Sequence, residues 1–236
     1  MARHVLLNNV DHKDLRVNMT RGAGLGDDLM FSVTFPAEFR NVQACYPIVF
    51  HKDADGRFQP AALFGLRERQ NLFLDGSGWD AEYIPLAVER QPFLIGRDAS
   101  GEPVIHIDLD SPRVASGSGE ALFLEHGGTS AYLEHVSSVL QALHEGIGAI
   151  PEFVDALLRN GLLESFVFDV SVDDAAQHRL AGFYTIHEER LRALDGEALS
   201  TLHRAAHLEA AFMAIASLSN LRRLVDRLRR RDAADR

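Results

Sequence analysis

The chain has 236 residues and a formal net charge of −10 at neutral pH, with hydrophobic residues at 46% and charged residues at 25%. That apolar fraction supplies a sizeable core and excludes wholesale disorder, while the acidic balance argues against a nucleic-acid partner, which needs a basic surface. A single cysteine, Cys45, excludes an intramolecular disulfide and a cysteine-caged metal.

The opening stretch MARHVLLNNVDHKDLRV is soon interrupted by Asp11, His12 and Lys13, so it lacks the apolar core of a signal peptide. The longest uninterrupted apolar run, 210–216, is far short of the roughly 20 residues that span a bilayer. These features lead us to expect a cytoplasmic protein with no membrane span, and the lone cysteine fits a reducing compartment.

In chain order, Gly22-Ala23-Gly24-Leu25-Gly26 comes first. With no strand leading in and no amphipathic helix following, it reads as a flexible loop and not as a dinucleotide cradle. Pro36-Ala37-Glu38 opens a short helix, since proline suits a first helical turn. Apolar segments at 46–52 and 58–66 flank Asp53-Ala54-Asp55-Gly56, where Asp-Gly signals a hairpin. Further strands are predicted at 71–75, 83–89, 93–97 and 104–110. Small, turn-forming residues then break the pattern at 111–120, the place where a sub-boundary would fall within a single domain over 1–236.

Beyond the break the periodicity becomes helical. Leu133, Val136, Leu140 and Leu143 predict a helix over 129–146, and Pro151 starts a second one that runs to about Asn160 and stops at Gly161. Phe166, Phe168, Val170 and Val172 alternate as in a strand, with a hairpin partner at 180–186. A short helix at 187–194 ends near Gly196. The last helix is predicted over 197–230, where Leu208, Phe212, Ile215, Leu218, Leu221, Val225 and Leu228 make one continuous apolar stripe. The fold class is α+β, an antiparallel β-rich N-terminal half followed by a helical C-terminal half with a β-hairpin and a long C-terminal helix.

Four local features bear on function. The only tryptophan, Trp79, sits among glycines and aspartates, with Asp75 before it and Tyr83 after it. Glycines admit a ligand close to the backbone and an indole face stacks on one, so these three residues are candidate ligand contacts. His106 and Asp108 match two ligands of a two-histidine, one-carboxylate iron site, with His126, His135 or His178 as a remote third; the same alternation also describes a strand with its polar residues in water. His203 and His207 lie four apart on the predicted last helix, but Arg204 stands where a metalloprotease needs its glutamate. The C-terminus holds seven arginines against three aspartates over 220–236, a balance opposite in sign to that of the whole chain. Cations there are favoured by the helix dipole, and they also suit an acidic partner. Leu221, Val225, Leu228, Arg229 and Arg230 are therefore candidate contacts for a protein partner or a homo-oligomer.

Several blocks agree with one family. Ala37-Glu38-Phe39, Tyr46-Pro47-Ile48-Val49-Phe50, the stretch AALFGLRERQNLFLDGSGWDAEYIPLAVERQPFLIG at 61–96, LAGFYTIHEERLRALDGEAL at 180–199 and SLSNLRRL at 217–224 occur in the order seen in the bacterial SapC family, which the chain resembles. The resemblance implies a link to a bacterial surface layer, from which the family takes its name. It also implies neighbours among flavin-dependent halogenase-like proteins, cupin-type hydroxylases and outer-membrane receptors, and it carries over no catalytic residues. The function expected is a non-enzymatic accessory or binding protein of a surface- or uptake-associated modification system. The alternatives are a metal-dependent oxygenase-like enzyme holding iron at His106 and Asp108, or a small-ligand or peptide-binding module.

Overall fold

A computed structural model describes residues 3–98, 100–116, 118–171 and 177–234. The N-terminal part builds two small antiparallel sheets. One has the order β1 (His4–Leu6), β9 (Pro103–Asp108), β8 (Phe93–Arg97); the other places β2 (Leu15–Val17) between β10 (Val114–Ser116) and β11 (Glu120–Ala121). The sequence break at 111–120 thus carries strands of its own. The glycine-rich loop folds as a 3-10 turn over Ala23–Leu25, closed by Gly26 at φ 87° and tied by Gly22 N donating to the Asp27 carboxylate at 2.8 Å. A local side-chain acceptor organises what the glycine content alone presents as flexible.

The central sheet has five antiparallel strands in the order β12 (Leu163–Ser171), β13 (Gln177–Ile186), β4 (Ile48–Lys52), β5 (Phe58–Leu63), β3 (Phe31–Val33). Its first hairpin turns at the expected Asp-Gly, where Asp53 Oδ1 accepts from Asp55 N and Arg57 N, both at 2.9 Å. Its second hairpin is also as the alternation predicts; Val172 lies outside the described residues. Helix α1 (Phe39–Cys45) follows a 3-10 turn opened by Pro36. Of the segment 71–75 only Leu74–Asp75 (β6) is strand, paired with Gly78–Trp79 (β7). The strand expected at 83–89 is instead a single helical turn, α2 (Leu86–Glu89), because Pro85 opens it and the Glu38 carboxylate accepts from Leu86 N at 2.7 Å.

Two helices predicted around Pro151 are one, α3 (Ala131–Arg159), capped by Ser130 Oγ accepting from Leu133 N at 3.1 Å. The carbonyl that Pro151 leaves without a donor belongs to Ile147, and Ile147, Gly148 and Pro151 are all exposed, so the missing bond falls on the solvent side of the helix and not in the core. The reverse correction applies further on. The expected long helix is α5 (Gly196–Arg204), α6 (His207–Ser217) and α7 (Asn220–Ala234), preceded by the short α4 (Glu188–Arg192). The first break is at Ala206, held at φ 59°. The second follows Ser217, whose hydroxyl accepts from Ile48 N at 2.8 Å and donates to Ala214 O at 2.6 Å.

The main core joins the central sheet, α1, the end of α3 and α7, with Phe39, Tyr46, Phe50, Phe64 and Phe153 fully buried. A second cluster packs Val17, Phe93, Ile107 and Leu122 against Leu133, Val136 and Leu140 of α3. Among the described residues no helix is long and apolar enough to cross a membrane.

Candidate functional site

The segment around Trp79 is shaped by its own side chains. Asp75 Oδ1 accepts from Ser77 N at 2.7 Å, Ser77 Oγ at 2.6 Å and Gly78 N at 3.1 Å, and the Ser77 hydroxyl foremost holds this carboxyl below its ordinary range. Gly78 turns the chain at φ 128°, a conformation side-chain-bearing residues rarely adopt, and so delivers Trp79 inward. The indole meets Phe64 edge-on with ring centroids 5.1 Å apart. Its Nε1 donates to the Tyr46 hydroxyl at 2.7 Å, and that hydroxyl donates in turn to the Tyr83 carbonyl. Burial pushes the Tyr46 phenol far above its ordinary pKa, so it stays protonated.

Helix α7 faces this segment with arginines. Arg227 donates through Nη1 to the Asp80 carboxylate at 2.7 Å and through Nη2 to the Asp80 carbonyl at 2.8 Å, with its guanidinium 4.4 Å from the Phe73 ring centroid. Arg223 Nη1 donates to Ala44 O at 3.2 Å and to Asn220 Oδ1 at 3.3 Å. Arg231 Nη1 reaches Asn71 O at 3.2 Å. Between the two walls lies a cleft of about 470 Å³. Phe73, Trp79 and Cys45 give it apolar surface; Arg223 and Arg227 enter from α7, Asp80 and Glu82 from the loop.

The structure separates the three expected ligand contacts. Trp79 lines the cleft, Asp75 holds the turn that positions it, and Tyr83 directs its hydroxyl to Glu38 Oε1 at 2.9 Å, outside the cleft lining. Sequence reasoning missed Arg223 and Arg227 in the cleft lining, and Tyr46 as the buried group that holds Trp79 from behind. Arg223 and Arg227, four apart on a predicted helix, were a signal that two cations share one face. Of the expected partner contacts, Leu221, Val225 and Leu228 are buried in the main core, whereas Arg229 and Arg230 are exposed. The α7 part of the apolar stripe is packed against the chain's own core, whereas Phe212 on α6 is 55% exposed, and the outward face of α7 carries arginines together with Asp226.

The histidines are dispersed. The His106 ring lies over Gly96 of the neighbouring strand, close enough that a Cβ there would come within 2.5 Å of it. Asp108 Oδ1 accepts from Arg3 N at 3.0 Å and Asp110 N at 3.1 Å. His126 is exposed, His135 pairs with Glu89 at 2.8 Å, and the side chain of His178 lies outside the described residues. His203 and His207 fall on different helices, so the four-residue spacing no longer aligns them. His207 packs 5.5 Å from the Phe153 ring, and burial lowers its pKa. Among the described residues no three His, Cys, Asp or Glu side chains are grouped to hold a metal ion.

A family model for SapC matches residues 7–224. The chain belongs to the SapC family. The match takes in the central sheet, the Trp79 loop and the first turn of α7 with Arg223, and it stops short of Arg227, the remaining α7 residue of the cleft lining. No curated protein and no solved structure matches this SapC chain.

Proposed function

We propose that this SapC-family chain is a cytoplasmic binding protein, an accessory to a surface- or uptake-associated modification system, that holds a ligand in the Trp79 cleft and a protein partner on the exposed arginines of α7. The observation that carries the reading is the bonded state of the cleft walls. Arg227 is locked to Asp80, Trp79 Nε1 to Tyr46, and Tyr46 to the Tyr83 carbonyl. Walls fixed before a ligand arrives lower the ordering cost of binding, whereas a phenol held protonated is a poor base at neutral pH. Arg222, Arg223, Arg229 and Arg230 are exposed on α7 around Asp226, and together they form a face of net positive charge on an otherwise acidic chain. Such a face steers an acidic protein surface, either a second copy or a halogenase-like or cupin-type hydroxylase of the system that the family resemblance implies.

Native mass spectrometry of the protein as purified, with metal analysis on the same sample, tests this. A retained small molecule or a metal-free assembly that weakens with salt supports the reading. Stoichiometric iron, or a bare monomer that stays bare with candidate partners, overturns it.

A further inference from the structure

We propose that the Trp79 cleft selects a small zwitterion with an apolar body, an α-amino acid of hydrophobic side chain, its carboxylate received by Arg223 and its ammonium by Glu82. The inference rests on the reading of the cleft as a ligand site and names the class of ligand. It begins from what is already paired. Both terminal nitrogens of Arg227 donate to Asp80, so these inner charges cancel in place. Two outer groups are left. Arg223 is exposed and bonds through Nη1 alone, leaving Nη2 and Nε without partners among the described residues. Glu82 is exposed and makes no hydrogen bond or ion pair among the described residues.

The signs of these groups discriminate between ligands. A simple anion entering the cleft meets Arg223 but also Asp80 and Glu82; a simple cation meets Glu82 but also Arg223 and Arg227. A molecule carrying both charges meets an opposite charge for each of its own, and like-charge repulsion excludes the others. The wall beneath is chemically mute. Trp79 Nε1 is occupied by Tyr46, so the half-buried indole offers a ligand only carbon surface, while Phe73, 3% exposed, lies beneath the Arg227 guanidinium. Hence the apolar body. A volume of about 470 Å³ lies in the range of small-molecule sites and exceeds that of any single amino acid, so the side chain is selected for apolarity more than for shape.

The test uses the full chain and its single tryptophan as reporter. Trp79 fluorescence is titrated with L-leucine, which is transparent where indole absorbs, then with N-acetyl-L-leucine, which lacks the ammonium, and with L-leucinamide, which lacks the carboxylate. The expected result is a saturable change with L-leucine and binding weaker by about tenfold or more for each blocked analogue, the loss typical of a charged hydrogen bond. Arg223→Ala is expected to abolish the preference for L-leucine over its amide, and Glu82→Gln the preference over its N-acetyl form. Glu82 bonds nothing among the described residues, so its variant keeps the test decisive even if Arg223→Ala disturbs α7. Equal response to a blocked analogue overturns the zwitterion while leaving a ligand cleft. No saturable response to L-leucine, in fluorescence and in calorimetry, also overturns it; the binding reading itself then stands or falls on the mass-spectrometric result.

Discussion

Trp79 and Tyr46 are joined side chain to side chain, with the indole Nε1 donating to the phenol oxygen at 2.7 Å across 33 positions of sequence. Because the phenol also donates to the Tyr83 carbonyl, one fully buried hydroxyl fastens both ends of the 79–83 loop to the start of the central hairpin. Tyr46→Phe keeps the ring and leaves a buried N–H and a carbonyl without partners. Unsatisfied buried groups cost about 1–3 kcal/mol, and that is the loss expected in urea unfolding, together with a red-shifted Trp79 emission in the native state. An unchanged midpoint and spectrum would show that the hydroxyl does not organise the cleft.

The same comparison shows what the residue pattern reveals and what it hides. Four of the five strands of the central sheet lie near the expected segments because alternation and Asp-Gly are local signals; the fifth, Phe31–Val33, is too short to show an alternation and was not expected. Helix ends were harder to read. Pro151 looks like a start until one knows that the carbonyl it strands faces water, which is a tertiary fact. Ser217-Leu218-Ser219-Asn220 sits inside an unbroken apolar stripe, yet its polar residues bond outward: Ser217 to Ile48 N and Asn220 Nδ2 to Gln43 O at 2.7 Å. Those partners are about 170 residues away, beyond any window of sequence. Trp79 was legible from its glycines, but Arg223 and Arg227 joined it only through the path of α7. The stripe itself was legible, its destination was not: Leu228 is 0% exposed. Leu228→Glu is therefore expected to unfold the monomer, and a folded monomer with merely altered association in sedimentation analysis would contradict that.

Gly146 and Gly148 make a matched pair on α3. A Cβ at Gly146 would lie 2.2 Å from the Phe35 ring, whereas one at Gly148 meets nothing within 4 Å. Alanine is favoured over glycine in a helix by about 1 kcal/mol, so Gly148→Ala is expected to raise stability by about that amount. Gly146→Ala gains the same propensity but overpacks the core, for which about 1–3 kcal/mol is typical, so it is expected to lower stability or at best break even. Thermal unfolding of the two variants side by side checks this; equal shifts would mean that Phe35 yields freely.

Glu38 is a buried acid, 3% exposed, with no cation paired to it among the described residues, accepting from Thr34 Oγ1 at 2.6 Å, Tyr83 Oη at 2.9 Å and Leu86 N at 2.7 Å. Burial raises its pKa above the ordinary glutamate value of about 4.5 despite those donors. The folded state therefore holds this proton more tightly than the unfolded state, and the contribution to stability falls as pH rises from about 4.5 through the raised folded value. Asp53, Asp75 and Asp98 are shifted the other way by hydrogen bonds, so theirs is lost only as pH falls below about 3.8, a separate window. Glu38→Gln cannot ionise and is expected to gain on the native chain between pH 5 and pH 7 in urea unfolding. Parallel pH profiles would show that Glu38 titrates as it does in the unfolded chain.

Asp27 and Arg113 form the most deeply buried ion pair among the described residues, at 0% and 1% exposure, with Arg113 Nη2 2.6 Å from both carboxylate oxygens. Arg21 Nη1 stands 3.5 Å away, and its pKa is lowered first by burial and then by Arg113. One carboxylate thus serves two guanidiniums, and removing it leaves both uncompensated. Breaking a buried pair in this way costs about 3–5 kcal/mol, so Asp27→Ala is expected to unfold at markedly lower urea, whereas Arg21→Met, which removes the like charge, is expected to be milder. The consequence reaches the cleft. Asn71 Nδ2 donates to the Asp27 carbonyl at 2.9 Å, and the Asn71 carbonyl accepts from Arg231 of α7 at 3.2 Å. Loosening Asp27 therefore loosens the strut between the two cleft walls, and Trp79 emission should change in Asp27→Ala even at urea concentrations where the fold persists. A variant that loses stability while its native Trp79 spectrum stays fixed would confine the pair to the N-terminal segments and leave the cleft to stand on Arg227 and Tyr46.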